Sequence, residues 1–232
     1  MKVVRTPGRG LGQRLIFDEA EFDAIGLETL RKTNLLPSAP APIRIDRLIE
    51  SFFDVTIEYV DLGEGVLGAT SFRPNGSVNG IAVALALDRD SATHLFRSTL
   101  AHEAGHGLLH PMLFMQDAGQ GAFSVDNADP TKRRILCRSR DIVPGQRRGY
   151  DGRWWEYQAN RMIGSLLLPR PLVLVAAGEF VERRAMSGNM FLSEENRMRA
   201  TDQLAKLFEV SSACMSIRLE EIFPQAKGQE EF

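Results

Sequence analysis

Residues 98–110 read STLAHEAGHGLLH, and this stretch decides both the fold and the chemistry expected of the chain. His102 and His106 are four positions apart, so on an α-helix both imidazoles leave the same face, with Glu103 beside them. Two neutral imidazoles can hold a zinc ion, which lowers the pKa of a bound water to about 7, and a carboxylate can take the proton of that water. The HExxH spacing therefore predicts a hydrolytic metal site with His102 and His106 as ligands and Glu103 as general base.

The residues around this motif indicate a buried helix. Apolar side chains lie on all sides of it, so the two histidines are expected to be buried and to need partners. Gly105 and Gly107 each cost about 0.5–1 kcal/mol relative to Ala in a helix, which indicates a close approach by another backbone or by a substrate. Two ordinary core histidines are the alternative. It is disfavoured because a chain with 4 His among 232 residues contains HExxH by chance only about once in a few hundred shuffles.

The motif leaves one protein ligand to be found. A third His six positions beyond the second, as in metzincins, is excluded because Met112 stands there. His110 lies at or near the helix end before a proline, where capping or packing is a better interpretation than ligation. Residues 154–168 have the apolar spacing of a helix, and Glu156 and Asn160 share a stripe that borders its apolar face. Glu156 could complete a His-His-Glu site with the Asn160 amide supporting a ligand, or it could be a surface Glu favoured by the helix dipole.

Three segments together resemble the ImmA/IrrE-type metallopeptidases, namely TLAHEAGH at 99–106, ExxAN at 156–160 and LLLP at 166–169. The resemblance covers residues 41–222, with Leu168 in place of the Met that usually precedes the final proline. It implies that Glu156 is the third zinc ligand of a metallo-endopeptidase, with Zn²⁺ as cofactor and Mn²⁺ as an alternative ion. It also implies a protein substrate, because members of this family often cleave a partner transcriptional repressor, frequently near mobile elements or stress-response genes.

Composition limits the remaining classes. A hydrophobic content of 44% allows a real core, and a net charge of −2 argues against a broadly basic nucleic-acid binder. Two cysteines, Cys137 and Cys214, give no disulfide framework and fit a reducing compartment. No apolar run has the length of a signal peptide or of a membrane span, so a cytoplasmic protein is expected.

The pattern along the chain predicts an α+β, zincin-like fold in three regions. Residues 1–40 are expected to form a loose arm, a short helix and a Pro-rich linker. Residues 41–170 are expected to form the metallopeptidase core, and residues 171–232 a helical region with a helix-turn-helix-like pair. Three β-type runs before the metal helix, interrupted by Gly- and Pro-containing turns, suggest a small antiparallel sheet packed on that helix. Residues 83–87 are either an edge strand that pairs with an extended substrate or an ordinary buried strand.

Two further segments bear on function. The long, Arg-rich segment 111–153 is interpreted as a lid or substrate-recognition loop, and Cys137 within it is either a thiol that reaches and inhibits the metal or, as favoured, a buried bystander. The second helix of the C-terminal pair offers only Arg218 to DNA, so packing is favoured and direct DNA binding is not expected. A DNA- or protein-binding regulator with a structural zinc site is the competing hypothesis. The intact Glu103 argues against it, because a structural site does not need that carboxylate.

Overall fold

The metal-motif helix lies between a four-stranded sheet and a second long helix. The structure, a computed structural model, describes residues 2–5, 13–88, 93–115, 134–142, 153–183 and 190–224. Its helices are α1 (Glu19–Lys32), α2 (Ile45–Phe53), α3 (Thr93–Leu109), α4 (Ser139–Ile142), α5 (Trp154–Leu167), α6 (Arg170–Ala176), α7 (Glu194–Leu207) and α8 (Ser212–Ile222). Its strands are β1 (Lys2–Arg5), β2 (Gln13–Ile16), β3 (Ile57–Val60), β4 (Val66–Phe72), β5 (Val78–Ala84), β6 (Arg134–Arg138), β7 (Glu182–Arg183) and β8 (Met190–Phe191). The α+β class expected from the sequence is confirmed.

Local sequence signals explain where several helices begin and end. Asp18 caps α1 by accepting a 2.9 Å hydrogen bond from the backbone N–H of Glu21, whose carboxylate in turn accepts from the N–H of Asp18. Helix α2 ends at Asp54, which has a left-handed backbone with φ of 55°. Helix α5 ends just before Pro169, which cannot continue a helix. The bounds of α5 agree with the helix predicted for residues 154–168 from the apolar spacing.

The four-stranded sheet is mixed, so the prediction of an antiparallel sheet is wrong for one strand. The strand order is β3-β5-β4-β6. Strand β5 pairs antiparallel with β4, and β4 pairs antiparallel with β6, but β3 lies outside β5 and runs parallel to it. The burial pattern gives the reason: Glu58 and Tyr59 leave the centre of β3 exposed, as suits an edge, whereas β5 is largely buried, as suits the interior.

The edge strand proposed at residues 83–87 is also wrong, and the buried-strand alternative is the one observed. Val83 and Ala84 end the interior strand β5, and Leu85–Leu87 form a 3₁₀ turn. The strand that lies at the sheet edge next to β4 is β6, which comes from the segment expected to be a long loop. Much of that segment, including Lys132, Arg133, Arg147 and Arg148, lies outside the described residues.

Both ends of the chain share the core of the metal domain. The arm expected to be loose contains an antiparallel pair of strands, β1 and β2, and α1 packs so closely on α5 that a Cβ on Gly26 would lie 2.7 Å from the Ser165 carbonyl oxygen. One cluster of buried apolar side chains contains Leu30 of α1, Leu204 of α7 and Leu219 of α8. The boundaries at residues 40 and 170 stay a prediction, but they do not separate independent cores.

Two smaller findings complete the fold. The short pair β7 and β8 lies in the region after Pro169 that was expected to be wholly helical. None of the described helices combines the length and the apolar character that crossing a membrane requires.

Candidate metal centre

Two helices bring three potential ligands to one point. Helix α3 presents His102 and His106 one turn apart, and the first turn of α5 presents Glu156. The two Nε2 atoms are 3.0 Å apart, and Glu156 Oε2 lies 3.2 Å from Nε2 of His102 and 3.7 Å from Nε2 of His106. Both histidines are fully buried, and Glu156 is only 5% exposed. The prediction that Glu156 lies beside the histidine pair, and not on the surface, agrees with this arrangement.

These distances fit a tetrahedral metal site. With metal–ligand bonds of about 2.0–2.1 Å, two ligand atoms of a tetrahedral zinc ion are ~3.3 Å apart. The three observed distances, 3.0, 3.2 and 3.7 Å, bracket that value. Glu156 Oε2 is buried and accepts no hydrogen bond from the described residues, which is costly for a carboxylate oxygen unless a cation is its partner. His102, His106 and Glu156 can therefore hold a metal ion.

The charges in the site favour a cation, which is a proton when no metal is bound. Burial opposes ionisation of Glu156, but the two imidazoles beside it hold the pKa of this carboxyl well below its usual range. Burial likewise opposes a charge on His102, yet Cys137 and Glu156 together raise the pKa of this imidazole well above its ordinary value. Without a metal, therefore, a proton on His102 compensates the Glu156 carboxylate.

A chain of hydrogen bonds sets the tautomer of His106. Gln158 donates from Nε2 to the Leu15 carbonyl oxygen at 2.6 Å, so its Oε1 is free to accept from Nε2 of His110 at 3.1 Å. Nδ1 of His110 then carries a lone pair, because burial and the neighbouring His106 lower the pKa of His110 well below its ordinary value and keep it neutral. That lone pair accepts from Nδ1 of His106 at 3.0 Å, which leaves Nε2 of His106 as a lone pair facing the site.

Asn160 gives His102 the same support. Its Oδ1 lies 3.0 Å from Nδ1 of His102, which donates to it and so keeps Nε2 directed at the ligand cluster. This contact is the one expected of Asn160 from the sequence, while its effect on metal binding stays a prediction. His110, for which packing was favoured, is buried as a hydrogen-bond partner of His106 and is not one of the three converging ligands.

Glu103 is held beside the ligands by the neighbouring strand β4. Thr70 Oγ1 donates a 2.6 Å hydrogen bond to Glu103 Oε2. Gly68, two residues earlier, leaves room for the same carboxylate, because a Cβ at this position would lie 2.5 Å from Oε1. A carboxylate with a fixed orientation therefore lies beside His102, at the position expected of a general base.

Cys137 also lies in this site. Its Sγ, a ring nitrogen of His102 and a carboxylate oxygen of Glu103 all lie within 4.8 Å of one another. The side chain is fully buried on β6, and burial raises the pKa of the thiol to about 12 despite the opposing effect of His102. The burial of Cys137 agrees with the favoured prediction of a buried thiol, while its position beside His102 and Glu103 agrees with the alternative that it reaches the metal site.

Sequence reasoning missed four contributors to the site: Gly68, Thr70, Gln158 and the Leu15 carbonyl group. None of them belongs to a motif, and each reaches the site through long-range packing. The only available signal was the pair Gly68 and Thr70, since a glycine and a hydroxyl interrupt an apolar strand that precedes the metal helix.

No model of a known protein family matches the sequence. No curated protein sequence matches it either. The resemblance to the ImmA/IrrE-type metallopeptidases therefore depends on the three motifs alone.

Proposed function

We propose that this protein is a zinc-dependent metallo-endopeptidase of the ImmA/IrrE type. The observation that carries the proposal is the convergence of His102, His106 and Glu156 next to a second, separately oriented carboxylate, that of Glu103. A zinc ion bound there would supply Lewis acidity, lowering the pKa of a coordinated water and polarising a peptide carbonyl. Mn²⁺ is an alternative for the same ligand set.

Each of the other residues would have a defined task. Glu103 would take a proton from the attacking water and later deliver it to the leaving amine. Thr70 would hold that carboxylate in place through its hydrogen bond to Oε2, and Gly68 would leave it room. Asn160 and His110 would keep the lone pairs of His102 and His106 directed into the site.

The substrate we propose is a specific partner protein such as a transcriptional repressor. This part of the proposal depends on the family resemblance alone. A peptide bound as an added strand gains affinity from main-chain hydrogen bonds, which do not distinguish one sequence from another. Selectivity must then come from other contacts, and the Arg-rich residues of segment 111–153 are our candidates. We accordingly expect a cytoplasmic enzyme that acts on one cognate partner and hardly on casein.

The competing function, a DNA-binding regulator with a structural zinc site, has less support. Arg218, the only basic residue of α8, is 3% exposed and donates to the Leu168 carbonyl oxygen, Glu221 and Asp23. The exposed positions of α8 carry no basic side chain; they are Ser212, Ala213, Ser216, Ile217 and Glu220. A helix without exposed cations is a poor reader of a DNA groove.

Metal analysis and a cleavage assay on three purified variants test the proposal. Glu156→Ala is expected to lose most of its zinc, since two imidazoles alone hold the ion weakly. Glu103→Gln is expected to keep its zinc and to lose hydrolysis of the repressor encoded by a neighbouring gene, with cleavage followed by mass spectrometry. Glu179→Ala, which changes an exposed carboxylate, is the matched control.

Two results would contradict the proposal. Zinc at the wild-type level in Glu156→Ala would remove Glu156 from the ligand set. Unchanged hydrolysis by Glu103→Gln would remove Glu103 from the role of general base.

A further inference from the structure

Cys137 occupies the side of the metal centre on which the general base lies. Its Sγ belongs to a second potential metal-binding group with His102 and Glu103, and the two groups share His102. Sγ lies within 4.8 Å of a ring nitrogen of His102. In a tetrahedral zinc site a sulfur ligand and a nitrogen ligand are ~3.6 Å apart, so the two atoms are at most roughly 1 Å too far apart to bind the same ion. A side-chain movement that brings Sγ closer to His102 would make it a further ligand of an ion held by His102, His106 and Glu156.

The strand that carries Cys137 covers the edge of β4 next to the metal helix. Strand β6 pairs antiparallel with β4, with Ile135 opposite Thr70 and Cys137 opposite Gly68. Thr70 donates a hydrogen bond to the Glu103 carboxylate, and Gly68 leaves room for it. An extended peptide presented to Glu103 along β4 would need the backbone groups with which β6 already pairs.

The burial of the site agrees with this arrangement. His102, Glu103, His106 and Cys137 are all 0% exposed. A hydrolase needs both water and a peptide at its base, and this conformation gives solvent no surface on either the base or the two histidines. The described state is therefore a closed one.

We propose that Cys137 is the fourth protein ligand of the metal and that its thiolate holds the enzyme in a latent state. This inference rests on the metal site proposed above. Zinc has a strong preference for thiolate, and four protein ligands leave no position for water. On ligation the S–H bond breaks and a sulfur–metal bond forms, while the proton passes to the adjacent Glu103 carboxylate and from there to solvent. Peptide cleavage then requires Cys137 to leave the metal.

A second feature supports the assignment independently of the thiol. Glu156 Oε2 is buried, is directed into the ligand cluster and accepts no hydrogen bond from the described residues. The neighbours of this oxygen are the two imidazole nitrogens, as suits a metal ligand, and Cys137 shares His102 with this cluster. The other cysteine, Cys214, is also buried, but its charged neighbours are Arg97, Arg218 and Glu221, and it belongs to neither potential metal-binding group of the described residues.

Cobalt substitution of the full-length protein tests this assignment without relying on activity. Metal-free protein is loaded with Co²⁺, and near-ultraviolet absorption from sulfur-to-cobalt charge transfer is recorded along with the visible ligand-field bands. The variant is Cys137→Ser, which nearly keeps the volume of the side chain, and the control is Cys214→Ser, which removes the other buried thiol. X-ray absorption of the zinc-loaded wild type, which needs no variant to fold, measures the same contact as one sulfur at about 2.3 Å.

The charge-transfer band is expected in the wild type and in Cys214→Ser, and it should be lost in Cys137→Ser with cobalt still bound near one equivalent. A wild type that binds cobalt through Glu156 but shows neither the band nor a sulfur neighbour would overturn the role of Cys137 and leave the proposed peptidase intact. A band that persists in Cys137→Ser would overturn it too. Failure of the wild type to bind Co²⁺ or Zn²⁺ at all would overturn both proposals.

Discussion

Gly105 is the position at which the packing of the two ligand-bearing helices can be tested. A Cβ added there would lie 2.9 Å from the Met162 Cβ and 3.1 Å from both the Cα and the carbonyl oxygen of Ala159. Two of these three contacts are with backbone atoms of α5, which cannot rotate away. Ala159 lies between Glu156 and Asn160, so Gly105→Ala must push the third ligand and the partner of His102 away from α3.

The size of the effect follows from these distances. Carbon atoms in contact are normally about 3.5–4.0 Å apart, so α5 must shift by on the order of 0.5–1 Å. Overpacking of this kind costs about 1–3 kcal/mol, and replacing a helical glycine with alanine returns about 0.5–1 kcal/mol. The free energy of unfolding should therefore fall by only about 1 kcal/mol. A metal site tolerates displacements of only about 0.2 Å, so zinc affinity should fall by roughly 10–100-fold.

Competition with a chromophoric chelator measures this affinity, and urea unfolding measures the stability. The matched control is Gly107→Ala, whose added Cβ would meet the ring of Phe53 and a methyl group of Val78. It makes the same glycine-to-alanine change in α3 and a similar clash, but on the face that packs against α2 and β5. Its zinc affinity should therefore stay within about twofold of the wild type. The reasoning is refuted if Gly105→Ala binds zinc as the wild type does, or if Gly107→Ala weakens binding equally.

Three further outcomes are expected. Thr70→Val keeps the side-chain shape but removes the hydrogen bond to Glu103. Hydrolytic activity should therefore fall by about 10–100-fold at unchanged zinc content. A loss of zinc as large as the loss of activity would contradict this prediction. Arg218→Ala removes one partner from a buried ion-pair network and should lower the free energy of unfolding in urea by about 3–5 kcal/mol, whereas the exposed Arg31→Ala should cost under about 1 kcal/mol. In the metal-free protein burial opposes a charge on His102, but Cys137 and Glu156 raise the pKa of this imidazole well above its ordinary value. Zinc must displace this proton and, with Cys137 as a ligand, the thiol proton too, so apparent zinc affinity should weaken by about tenfold per pH unit for each displaced proton as pH falls from about 8 to 6. A flat profile in chelator competition would disprove this linkage.

The parts of the site that the sequence predicted are those set by local periodicity. His102, Glu103 and His106 follow from spacing on one helix, and Glu156 and Asn160 from spacing on another. A helix of 3.6 residues per turn fixes which side chains share a face before any tertiary contact forms. Gly105 was informative for the same reason, because a glycine inside a buried helix predicts a close approach, and the backbone of α5 makes that approach. Gly107 faces side chains instead.

The parts that the sequence could not supply depend on which strands pair. The order of β3, β5, β4 and β6 is decided by competition among segments of similar β-character, and burial, more than spacing, assigns the interior position to β5. Strand β6 lies in a segment dominated by Arg, Gly and Pro. It has no alternation of apolar and polar residues from which its pairing with β4 could be predicted. The position of Cys137 in the site depends wholly on that pairing.

The N-terminal strand shows how far the metal centre extends beyond its ligands. The hydrogen-bond chain that sets the tautomer of His106 passes through His110 and Gln158 and ends on the Leu15 carbonyl oxygen of β2. If that carbonyl group were removed, the Gln158 amide could turn over and offer an N–H to His110, whose Nδ1 would then have to donate to His106. Nε2 of His106 would carry a proton and could no longer bind a cation. The N-terminal strand β2 is thus coupled to the protonation of a ligand, although it precedes the boundary expected at residue 40, which stays a prediction.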